Sequence, residues 1–169
     1  MRSISLILFL FLFFAYQVSG QTADDPAFAK YKVRVEKLKP VTVDLKSHKN
    51  ARIFRTNLRE AAKGGVNFAG HYTIATWGCG TNCTESGIID QRNGRVFFPR
   101  QLEGVGNGLA AWSDDLETLV FKPESNLLIL NGLVGGSDLN YTNPKQGIHY
   151  LLWNGSTFRE VKFVKKPNN

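Results

Sequence analysis

Beyond its first twenty residues the 169-residue chain has no apolar run long enough to cross a bilayer, and it holds only two cysteines, one methionine and three histidines. The first absence excludes a membrane-spanning helix from that part of the sequence. Cys79 and Cys83 have no second pair of thiols beside them, which leaves a four-thiolate zinc site out of reach. Their C-x3-C spacing also differs from the C-x-x-C of a redox dithiol at a helix start, and the alternating α/β pattern that carries such dithiols is missing. No cysteine follows the N-terminal apolar run, so no lipid anchor can be attached there. Interleaved arginines and aromatics are lacking, which argues against nucleic acid as a partner. No complete catalytic set is recognisable, and no cofactor is expected.

What is present begins with MRSISLILFLFLFFAYQVSG, in which Arg2 precedes an apolar run from Ile4 to Tyr16 and small residues follow at Ser19 and Gly20. As a helix that run reaches only about 20 Å, short of the ~30 Å hydrocarbon core. It reads as a cleaved signal peptide over residues 1–20, with a mature start at Gln21 and a periplasmic or secreted product. A flexible mature N-terminus over 21–29 and a single domain over 30–166 are expected to follow. A domain of this size buries roughly 68–70% of its extended surface, so the cysteines add to a core rather than replace one.

Loss of Arg2 leaves a formal charge of +6, unevenly spread. Residues 21–63 carry 11 basic and 5 acidic side chains, against 5 and 8 in residues 64–155. Cationic ends around an acidic middle suit an anionic glycan or surface, or an acidic envelope protein, although a charged face also serves solubility alone.

YKVRVEK (31–37) and VTVDL (41–45) alternate apolar and polar residues and predict two half-buried strands. ARIFRTNLREAAKGG changes period, and its apolar spacing predicts an amphipathic helix over 52–63 that stops at Gly64. Three hairpins follow: SGIID-QRNG-RVFFP, with its Asn93-Gly94 turn, TLVF-KPESN-LLILNG, and IHYLLW-NGS-TFREVKFV. The fold class is α+β and mostly β, an antiparallel hairpin or meander sheet with one helix near 52–63. Blade-like phrasing occurs at WSDDLETLVF, yet the chain is too short for a propeller, which leaves a sandwich or a strongly curved sheet.

Chemistry concentrates in NFAGHYTIATWGCGTNC, residues 67–83. In an exported chain Cys79 and Cys83 predict a disulfide. A bridge needs Cα atoms within about 7 Å, whereas four steps of strand span about 13 Å, so the chain must turn between Gly78 and Cys83. In one continuous strand His71 and Cys79 lie ~26 Å apart, too far for a Cys–His nucleophile. Cys79, Cys83, His71 and a distant carboxylate form a zinc set only on paper, so no metal site is predicted. Tyr72, Ile74 and Thr76 share one strand face, while His71, Thr73, Ala75 and Trp77 share the other. If the first faces the core, His71 and Trp77 form an exposed ligand-contacting row; if the second does, they are core.

Further candidates are acids in turns: Asp90, Asp114, Asp115, Glu117 and Asp138, the last in the long VGGSDLNYTNPKQG loop, a second candidate binding edge. Turn residues of this kind also simply cap backbone amides. Asn82, Asn140 and Asn154 open N-x-[ST] triplets, which only a eukaryotic secretory pathway would glycosylate; the Phe-rich signal looks more like a bacterial export signal.

Asn67-Phe68-Ala69-Gly70-His71-Tyr72 with Trp77-Gly78-Cys79-Gly80-Thr81 and Cys83 resembles a group of small exported bacterial proteins sharing an NFAGHY…WGCG…C signature. The similarity runs more loosely into 127–132 and 150–153. No activity is established for that group, so the resemblance implies envelope localisation and no mechanism. The resulting expectation is an exported binding or accessory module of the cell envelope, a partner or inhibitor of an envelope enzyme, with binding residues His71, Trp77 and Asp138. The alternative is a small hydrolase of cell-wall or surface material, with His71 as base and Asp90 or Asp138 orienting it.

Overall fold

The computed structural model describes residues 25–81, 83–106, 117–135 and 145–165. The expected signal peptide at 1–20, Asn82, Asp114, Asp115, Asp138 and Asn140 lie outside them. The elements are α1 (Ala27–Lys30), α2 (Arg55–Lys63), β1 (Tyr72–Gly80), β2 (Cys83–Asp90), β3 (Val96–Phe97), β4 (Val105–Gly106), β5 (Leu119–Phe121), β6 (Leu127–Leu133), β7 (Gln146–Trp153) and β8 (Phe158–Lys165). The eight strands form one open antiparallel sheet in the order β1-β2-β4-β6-β7-β8, with β3 also paired to β2 and β5 to β6. The expected mostly-β fold is therefore present.

Each expected hairpin forms. Ile88 and Ile89 pair with Phe97 and Val96 across the Asn93-Gly94 turn. Leu119 to Phe121 pair with Leu130 to Leu128, and β7 pairs with β8 across Asn154-Gly155. Of the two architectures expected, the curved sheet is realised. Three strands separate β1 from β7, about 19 Å in a flat sheet, yet the rings of Tyr72 and Trp153 lie 5.5 Å apart. The sheet curls until its inner face closes on itself around Phe68, Ile88, Leu128, Leu130 and Leu151. Two further clusters line the outer face. Val120, Leu127, Ile129, Ile148 and Tyr150 cover Phe28 at one end, and Ala75, Ile89 and Val96 carry Leu58 and Ala62 of α2 at the other.

Three local expectations need correction. Residues 31–37 and 41–45 are not strands. They run extended across turns and meet the sheet at single points: a bridge from Lys32 to Ser125, Val33 N–H to Glu124 (2.8 Å), Glu36 N–H to Gly70 (2.8 Å) and Asp44 N–H to Gly94 (2.8 Å). Alternation there reports one covered side, with Val43 buried, and not a partner strand; at Val35, 40% exposed, even that fails. The helix starts at Arg55, three residues late, because Lys49–Ala51 form a 3-10 turn first. Gly64 is right-handed, and the left-handed residue at this end is Gly65 (φ 73°). Finally, residues 25–29 of the segment expected to be flexible are placed: Phe28 is buried, and Tyr150 Oη donates to Asp25 (3.2 Å).

Two glycines hold the extended segment against the sheet. A Cβ on Gly70 (φ 82°) would lie 2.6 Å from the Arg34 carbonyl oxygen, and one on Gly94 (φ 80°) 2.1 Å from that of Thr42. Only glycine admits both the conformation and the approach. The buried Gln91 completes the clamp, accepting from Val41 N–H (3.2 Å) and donating to the Ala62 carbonyl (3.2 Å) and Thr73 Oγ1 (2.7 Å).

Candidate functional site

The NFAGHY run is chiefly a joint. Asn67 uses its side-chain amide as a strand would: Oδ1 accepts from Ile74 N–H (2.8 Å) and Nδ2 donates to the Ile74 carbonyl (3.0 Å). Phe68 enters the inner core, its ring centroid 6.1 Å from both Phe121 and Phe158. Ala69 (φ 44°) and Gly70 then reverse the chain through two left-handed steps, and their amides donate to Ser125 (3.1 Å) and Pro123 (2.7 Å). Tyr72 N–H returns to the Phe68 carbonyl (2.9 Å) and closes the turn.

His71 leaves this turn with its ring against Tyr72, centroids 4.1 Å apart, and 16% of its side chain exposed. Its Nδ1 lies 3.8 Å from Glu36 Oε1, beyond hydrogen-bonding reach. Glu36 is already held by Arg92, whose Nε donates to Oε2 (3.1 Å) and whose Nη2 donates to Oε1. That guanidinium keeps the Glu36 carboxyl below its usual range. Burial holds the His71 imidazole below its ordinary value and Arg92 pushes the same way, against the opposing charges of Asp90 and Glu36. The imidazole is therefore neutral near pH 7.

Asp90 is a turn cap: Oδ1 accepts from Arg92 N–H (2.9 Å) and Oδ2 from Asn93 Nδ2 (3.0 Å). Among the described residues no hydrogen bond joins it to His71. The carboxylate nearest the imidazole is Glu36, 35 residues upstream and not among the expected candidates.

Trp77 does not join His71. Six strand residues put them about 20 Å apart, and the indole packs under α2 against Phe54 (4.7 Å) and Phe98 (6.4 Å). The two alternatives for β1 resolve into both: Tyr72 and Ile74 face the inner core while Thr73 and Ala75 are covered by α2, so no exposed His71–Trp77 row exists.

The cysteines are bridged, with Cα atoms 5.1 Å apart. β1 continues to Gly80 and turns at once into β2, with Gly80 opposite Cys83 and the register shifting at Cys79. The required turn is thus a hairpin, and the bridge staples its exposed tip. No zinc set remains, since both thiols are consumed, and among the described residues no cluster of three or more potential ligands could hold a metal. Closing so short a loop contributes about 2 kcal/mol in the chain-entropy account. Cys79→Ser with Cys83→Ser is therefore expected to lower unfolding stability by no more than that, in denaturant titrations compared with and without reductant. A loss of cooperative folding would show that the staple holds the core.

Beside the tip, β1 is an edge strand. Because Ile74 turns its N–H and C=O outward to Asn67, Thr76 and Gly78 turn theirs outward as well. Among the described residues nothing pairs with them. Between this edge and α2 runs a groove of about 460 Å³, lined by Thr56, Asn57, Glu60 and Ala61 from the helix and by Asn67 and Thr76.

These features define an open, curled antiparallel sheet with one flanking helix and a stapled edge hairpin. No family model, curated protein or solved structure matches the chain.

Proposed function

We propose that the protein is an exported binding or accessory module of the cell envelope, which offers the open edge of β1 to a protein partner such as an envelope enzyme. The observation that carries this reading is the backbone at Thr76 and Gly78, which has no partner among the described residues, bordered by the α2 groove and held in shape by the Cys79–Cys83 staple. Partners commonly bind such edges by adding a strand. The N-terminal apolar run supports export, and the disulfide fits an oxidising compartment. The hydrolase alternative gains a neutral imidazole at His71, but among the described residues neither a nucleophile nor a free carboxylate converges on it.

An envelope extract is expected to form a saturable complex that survives His71→Ala, is lost in Thr76→Pro, and slows hydrogen exchange at the Thr76 and Gly78 amides. Thr76 is exposed, and proline there removes one edge donor and no core contact. A complex indifferent to Thr76→Pro, or no saturable complex in any protein or glycan fraction, overturns the assignment.

A further inference from the structure

The two ends of β1 are held by different means. Up to Trp77 the strand is fixed by its neighbours: Asn67 clips both backbone groups of Ile74, Ala75 is buried beneath α2, and the Trp77 indole packs on Phe54. From Gly78 to Thr81 every residue is exposed. Among the described residues no atom lies within 4 Å of the place that a Cβ would take on Gly78 or Gly80, so nothing packs over this tip. Glycine loses more freedom on ordering than any other residue, and the pairing with β2 shifts register between these two. The returning strand is better held, since Cys83 and Thr84 also pair with Gly106 and Val105 of β4. What fixes the β1 side of the tip is therefore the Cys79–Cys83 bridge.

Among the described residues neither cysteine joins a core cluster, so the bridge shapes the tip and does little for the core. It is also open to attack, because Cys79 is exposed. Exposed bridges are the ones that thiols reduce most readily. Opening this one leaves the fold and Thr76 in place but frees Gly78, the other half of the open edge.

We propose that partner binding at the β1 edge is under thiol–disulfide control, strong when Cys79 and Cys83 are bridged and weak when they are reduced; this rests on the partner reading above. The reductant is a dithiol. One of its thiolates attacks Cys79 Sγ and expels Cys83 Sγ as a thiolate. Its second thiolate attacks the mixed disulfide, closing the reductant's own disulfide and releasing Cys79. Two electrons pass to the bridge, and the two protons of the dithiol end on Cys79 and Cys83.

Dithiothreitol in native buffer, followed by alkylation, is expected to label both cysteines while unfolding stays cooperative. A bridge that resists until the chain unfolds overturns the inference. Cys79→Ser with Cys83→Ser mimics the reduced chain and spares the partner's own disulfides any reductant. In that variant the order parameters of the Gly78 and Gly80 amides are expected to fall from about 0.85 to below about 0.6, with Ala75 unchanged. Immobilised, the variant is expected to need about thirtyfold more envelope extract than the bridged wild type for half-saturation, the factor that closing so short a loop is worth. A tip as rigid as in wild type, or an unshifted half-saturation, overturns the control and leaves the partner reading standing. No complex with the bridged chain overturns the partner reading and the control with it.

Discussion

Phe68→Ala is expected to cost about 3–5 kcal/mol, the usual loss for truncating a fully buried phenylalanine. Phe68 is 0% exposed, and its ring meets Phe121, Trp153 and Phe158, which come from the middle and far side of the sheet. It fills the space that curling the sheet encloses, so a cavity there removes contacts to β5, β7 and β8 together. The same residue starts the left-handed turn that carries His71, and loosening it also releases Glu36 N–H from the Gly70 carbonyl. Urea unfolding checks this: the midpoint is expected to fall sharply, while Val35→Ala, on the exposed side of the extended segment, stays within about 0.5 kcal/mol of wild type. A loss below about 1 kcal/mol for Phe68→Ala would mean that the joint can collapse around the gap and does not close the sheet.

That expectation reverses the first impression made by residues 67–83. His, Tyr, Trp and Cys close together in sequence suggest chemistry, yet their neighbours in space differ from their neighbours in sequence. Trp77 finds Phe54 and Phe98, Asp90 finds its own turn, and Cys79 finds Cys83. Local signals were legible where short-range physics decides. Asn93-Gly94 and Asn154-Gly155 mark real hairpins, because left-handed turn conformations depend on adjacent residues. The requirement that a C-x3-C bridge turn the chain held for the same reason, and was met by a hairpin tip.

Long-range matches were not legible. Glu36 and Arg92 meet across 56 positions, and Glu36 read as the polar side of a strand that does not form. The strand pattern over 31–45 misled because alternation records which side is covered and is blind to whether backbone partners exist. In sequence Asn67 is only part of a motif, since an amide that substitutes for a strand is visible only once the edge it caps is known.

Glu160→Ala is expected to destabilise the protein by about 2–3 kcal/mol at neutral pH, a loss that disappears in acid. His149, absent from the candidates read from sequence, is 0% exposed, and both of its ring nitrogens face acceptors: Nε2 the Lys145 carbonyl (3.0 Å) and Nδ1 Glu160 Oε2 (2.8 Å). Lys145 Nζ also donates to Glu160. Removing the carboxylate strips a buried ring nitrogen and an ammonium of their shared acceptor. The cost stays below that of breaking a fully buried pair because the Glu160 side chain is 31% exposed. Burial alone would raise the Glu160 carboxyl, but the hydrogen bonds from Lys145 and His149 outweigh it and hold the group below the usual carboxylate range. A carboxyl depressed in the folded state stabilises that state above its unfolded value, about 4.3, and the contribution drains away as pH falls from there through the folded value. Wild type and Glu160→Ala should therefore differ fully at pH 7 in urea unfolding and converge toward pH 3, with Glu160→Gln, which keeps an acceptor without the charge, in between at neutral pH. A gap of the same size at both pH values would assign the loss to side-chain packing and not to the carboxylate.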